Sequence, residues 1–440
     1  MNHFCPLPLT LALGTLLALP VQAQSLVDLY ESARGFDAGF QSAKLQYDAN
    51  LARAAQARAA ILPTVGLAMG VTRSNISSDT AVFDRGSFGN QSATVNASQP
   101  LYRPANVALV EQGEKQIELA KAQLTVADQD LVIRVSQAYF DVLASDDSLN
   151  LVRAQKTAVA EQLASAKRNF EVGTATIVDT REAQSKFDLV LAQEIAAEND
   201  LRVKKVTLDQ LSGKTDAAPK PLSVPVAMVP LAPDDINQWV AQAEEFHPGI
   251  LQAKANVDIA ELETEKAKAG NKPTLDLTGS YGVTRNNGTT NSTLDYRTNV
   301  ATIGLALNLS LFAGYATQNR IKETLALEEK SRSDLESAKR GVALATRTAF
   351  LGLQSGLGQV KALEAAEVSS QSVLDSTKLG YEVGVRINID VLNAQTTLFD
   401  TKAKLAKARY DVLLGGLKLR QANGTLKAED INSVNSLLVR

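Results

Sequence analysis

The chain has 440 residues, a formal net charge of −3 and a pI near 5.7, which argues against a nucleic-acid partner, since phosphate backbones demand a basic face. Its one cysteine, Cys5, lies in an apolar leader, so the chain beyond residue 23 can form no disulfide. Past that leader there is no apolar run of about 18 residues, so no transmembrane helix is expected and any membrane span has to be built from β-strands.

Residues 1–23, MNHFCPLPLTLALGTLLALPVQA, end in Val21-Gln22-Ala23, an A-x-A-like cleavage site, and read as a secretory signal peptide. Phe4 stands before Cys5 where a lipid-modified cysteine wants a small residue, so a lipoprotein is not expected. One helix is expected over 26–61. After Pro63-Thr64 the period changes: Val65, Leu67, Met69 and Val71 alternate with Gly66, Ala68, Gly70 and Thr72, the mark of a strand with one apolar and one polar face. A turn-rich loop at 77–91 and a weaker strand at 92–101 follow.

No proline occurs from 105 to 218, and helix interiors exclude proline. Residues 105–169 therefore read as one very long helix, about 95–100 Å at ~1.5 Å per residue. It carries two seams spaced by seven. Ile117, Leu124, Leu131 and Ala138 form one; Leu119, Val126, Ile133 and Phe140 form the other. They lie about 200° apart around the helix, as in a stave flanked on both sides; a two-stranded coiled coil needs only one seam. A helix buried in a thick bundle is the competing arrangement.

The stretch FEVGTATIVDT, 170–180, interrupts this pattern. Gly173 supplies the φ > 0 residue that ends a helix, and Thr176 with Asp179 has capping-box spacing for the next, 177–212. Five prolines in 214–235 mark a linker or irregular surface layer. A helix over 236–270, strands near 275–284 and 302–311 around a turn-rich loop at 286–295, a second long helix over 315–380, and a helix over 388–422 follow. In the second interruption, YEVGVRINIDV at 381–391, Gly384 repeats Gly173 and Asn388 reads as the N-cap. Residues 425–440 read as an irregular tail.

The chain is thus a tandem duplication, 24–213 and 236–424, at an offset of 210–212. Phe36 and Gly39 match Phe246 and Gly249, Pro63-Thr64 match Pro273-Thr274, and Leu208, Gln210 and Gly213 match Leu419, Gln421 and Gly424. Four strands cannot close a barrel, and open edges are not tolerated in lipid, so closure needs sister copies. Three copies give twelve strands; symmetry alone would equally permit two or four. A soluble four-stranded sheet packed on helices is the alternative.

YEVGVRINIDVLNAQTTLFDTKAKLAKA at 381–408, FEVGTATIVDTREAQSKFD at 170–188, LSLFAGYATQNRIKE at 309–323 and NGTLKAEDINSVN at 423–435 resemble the TolC family of outer-membrane exit ducts, over nearly the whole chain past the leader. The resemblance implies a mainly α fold with a β-barrel part. In it a homotrimer forms a twelve-stranded outer-membrane pore, continuous with a helical periplasmic tunnel and girdled by the linker and C-terminal tail. It also implies docking to a periplasmic adaptor and an inner-membrane pump of ABC, RND or MFS type. No cofactor or metal is implied. The family's tip motif falls on Val172, Gly173, Thr174 and Ala175, and on Val383, Gly384, Val385 and Arg386, as adaptor-docking grooves. Its entrance latch falls on Asp179, Tyr381 and Arg386. Its acidic constriction ring falls on Asp390, with Asn393 where close relatives carry a second acid. Val178 departs from a polar residue at another gate position.

No enzyme is expected. The one histidine beyond the leader, His247, precedes Pro248 and reads as a turn or helix cap, and Asp146-Asp147 read as a solvated helix face. The competing function is a periplasmic coiled-coil adaptor or structural protein without a pore, against which the lipid-compatible strands speak.

Overall fold

The computed structural model describes residues 24–75, 87–223, 232–289 and 292–439; the expected signal peptide lies outside them. The first copy runs α1 (Leu26–Phe36), α2 (Ala38–Ala59), β1 (Thr64–Ser74), β2 (Phe88–Tyr102), α3 (Pro104–Glu171) and α4 (Ile177–Ser212). The second runs α5 (Ile236–Phe246), α6 (Pro248–Lys268), β3 (Thr274–Thr289), β4 (Ser292–Asn308), α7 (Ala316–Glu382) and α8 (Asn388–Ala422). A short α9 (Asp430–Asn435) closes the chain, where only an irregular tail was expected.

The helices expected over 26–61 and 236–270 are each broken once, at Asp37 and His247, which are equivalent in the two copies. Both adopt extended backbone and cap the helix that follows: Asp37 Oδ1 accepts from Phe40 N at 2.7 Å, and His247 Nδ1 accepts from Gly249 N at 3.0 Å. The break lets a short amphipathic helix turn its apolar side onto α3, with Leu26, Leu29, Tyr30 and Ala33 buried.

α3 spans 68 residues and α7 spans 67, each about 100 Å long. α3 packs against α2 and α6 over its first half and against α4 and α8 over its second, so both predicted seams find neighbours. The largest core lies midway along the stalk. There Phe140 meets Tyr139 edge-on and Tyr410 at a tilt, each at 5.8 Å between ring centres. The linker and tail wrap this level: Ser223 N donates to Leu437 O at 2.9 Å and Tyr139 Oη donates to Lys220 O at 2.9 Å. The solvated face expected at Asp146-Asp147 holds for Asp146 only. Asp147 is half-buried and accepts the Tyr410 hydroxyl at 2.6 Å. Burial pushes the Asp147 carboxyl above its usual range, and burial with the bond to Asp147 pushes the Tyr410 hydroxyl up too.

The sheet is antiparallel in the order β1-β2-β3-β4, so the two copies join at β2 and β3. The strands run further into the turn-rich segments than expected, because Asn286 pairs with Tyr296 and Asn287 with Asp295; a registered partner outweighs the weak strand propensity of Asn. β4 ends at Asn308, so Leu309 and Leu311 lie beyond it. Side chains alternate as predicted. One face shows Val65, Leu67, Met69, Tyr281, Ile303 and Leu305, all exposed; the other shows Thr, Ser, Asn and Gly, as in the row Gly66–Asn96–Ser280–Thr302. From Leu275 to Val283 the apolar band is about 20–25 Å tall, the height of a lipid-facing barrel band. At its helix-side end stand exposed Tyr102, Phe312 and Tyr315, the last two edge-to-face at 5.6 Å. There Arg103, just before α3, grips Asp276 of β3 with two parallel bonds of 2.7 and 2.6 Å, fixing stalk to sheet.

Candidate functional site: the helical tip

At the end of the stalk farthest from the sheet the two copies make the same turn. In the first, Thr174 N and Ala175 N both donate to Asn169 O at 2.8 and 3.1 Å; in the second, Val385 N and Arg386 N both donate to Gly380 O at 2.9 and 3.0 Å. Gly173 and Gly384 each sit at φ +79°, and a methyl group added to either would meet no heavy atom within 4 Å. Glycine is therefore required by backbone conformation alone, and the turn is open to solvent. Around it Val172, Val383 and Val385 are 72%, 65% and 75% exposed, an apolar collar about the two turns.

The starts of the next helices differ. Asp179 closes the predicted capping box, its Oδ2 accepting from Thr176 N at 2.9 Å and Thr176 Oγ1 at 2.7 Å. In the second copy the N-cap is Ile387, not Asn388; Asp390 Oδ2 accepts from Ile387 N at 3.5 Å. Asn388 is buried instead, donating to Asp179 O at 3.3 Å and accepting from Gln162 Nε2. A cap would satisfy one backbone N–H; here the amide ties one hairpin to the other. Leu392 of α8 is likewise buried among Val159, Leu163 and Ala183 of the first hairpin.

Of the predicted latch, Tyr381 Oη accepts from Asn169 Nδ2 at 3.1 Å, joining the hairpins. Arg386 lies 3.7 Å from Asp390 and does not reach Asp179, whose carboxylate is taken up by its own cap. Arg386, in the turn after α7, folds back over the last turn of that helix, where residue 380 is glycine; a Cβ there would stand 2.8 Å from Arg386 Cγ. Asp390 and Asn393 share one face of α8, while Val391 and Leu392 point into the core. Val178 is exposed. Above the tip, hydrogen bonds from Lys156 and Arg153 hold the Glu194 carboxyl below its usual range and tie α3 to α4.

Sequence reading missed Asn169, Gln162 and Gly380. A signal for two of them was present: Asn169 faces Gly380 in the repeat, Phe170 faces Tyr381, Ala175 faces Arg386 and Ile177 faces Asn388. The polar bridges fall where the two copies differ.

The outer membrane efflux protein family model matches residues 29–214 and again 239–425, once on each copy. The chain belongs to that family. It is 33% identical to the outer membrane protein TolC of Vibrio cholerae serotype O1 over 99% of this chain and 98% of the relative. It is 30% identical to the alkaline protease secretion protein AprF of Pseudomonas aeruginosa over 94% of this chain and 87% of the relative. The outer membrane protein VceC of Vibrio cholerae shares the fold at a TM-score of 0.78 and 18% identity, over 91% of this chain and 96% of that one. This family member is an outer-membrane channel, its stalk extending into the periplasm, and serves as an exit duct for efflux or type I secretion. The pore-less adaptor reading is not favoured, because the sheet turns a continuous apolar face outward.

Proposed function

We propose that three copies close a twelve-stranded pore over a common tunnel whose entrance is the tip. The turns Val172–Ala175 and Val383–Val385 form the docking grooves for a periplasmic adaptor, serving an ABC, RND or MFS pump. Asp179, Tyr381 and Arg386 hold the entrance shut. Asp390 forms a constriction ring of three carboxylates, with Asn393 leaving out a second set.

The observation that carries this reading is the exposed valine collar around two free glycines at φ +79°, one full stalk-length from the lipid band. An adaptor laid on it gains apolar burial without displacing any side chain from the turn. The Arg386–Asp390 contact gives a gating route. While Arg386 stays on Asp390 it neutralises part of the ring; docking that draws Arg386 away opens the entrance and restores the acidic field together. Each exposed link is worth about 1 kcal/mol or less, so a few per protomer are within reach of adaptor binding.

The test is crosslinking in cells with photoreactive residues placed at Val172 and Val383, followed by purification of the captured partners. Capture of an adaptor together with its pump supports the assignment. Capture at control positions on α4 but not at the collar defeats it.

A further inference from the structure

The outward face of the sheet carries positive charge at the end away from the helices. Register places Val71, Gln91, Arg285 and Arg297 in one row, and Arg73, Gly89, Asn287 and Asp295 in the next. Both rows lie on the apolar face, because they share its odd-numbered alternation with Val65, Met69, Tyr281 and Ile303. Arg73, Arg285 and Arg297, all exposed, therefore crown the lipid-facing band. The stalk occupies the periplasm, so this end lies at the headgroups of the outer leaflet. Charge is cheap there, whereas an arginine at mid-bilayer depth is not.

Arg285 and Arg297 are direct cross-strand partners, a like-charge juxtaposition that destabilises a strand pair. Among the described residues neither makes a side-chain hydrogen bond or an ion pair, and Asp295, one row out, pairs with none of the three arginines. Arg73 Nη2 donates to Ser87 Oγ at 3.3 Å. Two exposed arginines on the stalk are placed otherwise: Arg134 binds Asp37 at 2.8 Å and Arg153 binds Glu198 at 2.7 Å. Among the described residues the Arg285–Arg297 pair faces no carboxylate partner.

We propose that Arg73, Arg285 and Arg297 bind the phosphate groups of a phosphorylated glycolipid of the outer leaflet, lipopolysaccharide in chemical class. A guanidinium fork matches a phosphate with two parallel hydrogen bonds, and a phosphate between Arg285 and Arg297 turns repulsion into a bridge. β1 and β4 are three strand spacings apart, roughly 14 Å, so Arg73 meets a second phosphate carried on a disaccharide-sized frame. The site is continuous with the lipid-facing band, which presents the acyl chains of the same molecule with an apolar wall.

The experiment uses the full-length oligomer in detergent and follows its heat resistance while lipopolysaccharide, phosphatidylethanolamine or inorganic phosphate is added in separate arms. Lipopolysaccharide is expected to raise heat resistance, less so in high salt. The Arg285→Gln/Arg297→Gln variant is expected to need about thirty-fold more of it, and the Lys/Lys variant far less extra. Should the Gln/Gln variant fail to assemble, Arg73→Gln decides, with an expected loss of about five-fold. An unchanged response in these variants, or an equal shift with phosphatidylethanolamine or inorganic phosphate, overturns the assignment.

Discussion

The Asn169 amide donates to the Tyr381 hydroxyl at 3.1 Å, across 212 residues of sequence, and so fastens the tip of one helical hairpin to the other. Arg386 lies near the same end of α7, on Asp390. Removing both contacts with Tyr381→Phe and Arg386→Ser should raise single-channel conductance in planar bilayers several-fold, since each link contributes about 1 kcal/mol. Asn169→Ala should act in the same direction and more weakly. Unchanged conductance in the double variant would remove Tyr381 and Arg386 from the latch.

Gly380→Ala tests the same gate from the other side. The added methyl would stand 2.8 Å from Arg386 Cγ, so the arginine has to leave its place over the helix. Alanine favours a helix interior by about 0.5–1 kcal/mol over glycine. The expected result is a helix no less stable in thermal melts, with conductance shifted as in Arg386→Ser. Wild-type conductance would show that the position of Arg386 does not matter.

At the constriction, Asp390→Ala should weaken block by multivalent cations, and Asn393→Asp should strengthen it by completing a second acidic ring on the same helix face. Block measured from the periplasmic side at fixed salt separates the two. A variant pair with identical block constants would place the ring elsewhere.

Glycines at the same positive φ should differ sharply in tolerance. Gly173→Ala meets only the strain of a left-handed alanine, about 1–2 kcal/mol. Gly424→Ala carries the same strain at φ +79°, and its Cβ would fall 2.3 Å from the Cα of His247, a backbone atom that cannot step aside. Denaturant unfolding should show a loss for Gly424→Ala at least about 2 kcal/mol larger. Equal losses would contradict the close approach of α8 to the α5–α6 corner.

Stability should also respond to pH through Asp147. Burial raises its folded value above the unfolded 3.8, so the folded state holds this proton more tightly. Its contribution therefore grows as pH falls from neutral through the folded value, levels off below the unfolded one, and is lost as pH rises again. Asp37 has the opposite sign: the bonds from Arg134 lower its value, so its contribution is lost only as pH falls below 3.8 through the folded value. Asp147→Asn should flatten the first window and leave the second. A wild-type slope in the variant between neutral pH and the unfolded value would refute the assignment.

Much of the architecture was legible because it is local or periodic. Proline exclusion and the seven-residue seams gave α3 and α7 to within about two residues at their ends, and period-two alternation gave the apolar faces of β1 and β3, while β2 was a weak signal and the first ten residues of β4 were missed. The positive φ of Gly173 and Gly384, the Thr176–Asp179 box and the capping role of His247 also follow from residue type at a helix boundary. Asp37 was harder: nothing nearby distinguishes an aspartate inside a helix from one that breaks it, and only the packing of α1 onto α3 settles which occurs. Asn388 misled for a related reason. An asparagine at a helix start is a good cap, but its burial against Gln162 and Asp179 depends on how two hairpins meet.

The amino-acid order by itself determined the duplication, the long staves, the two-sided strands and the glycine turns, because each depends on steric and hydrophobic preferences within a few residues. Only the tertiary structure decided that Asn169 reaches Tyr381, that Arg386 lies across Gly380 onto Asp390, and that Arg285 stands opposite Arg297. Those contacts depend on helix rotation and strand register, which are set by the summed packing of distant residues and by no local preference.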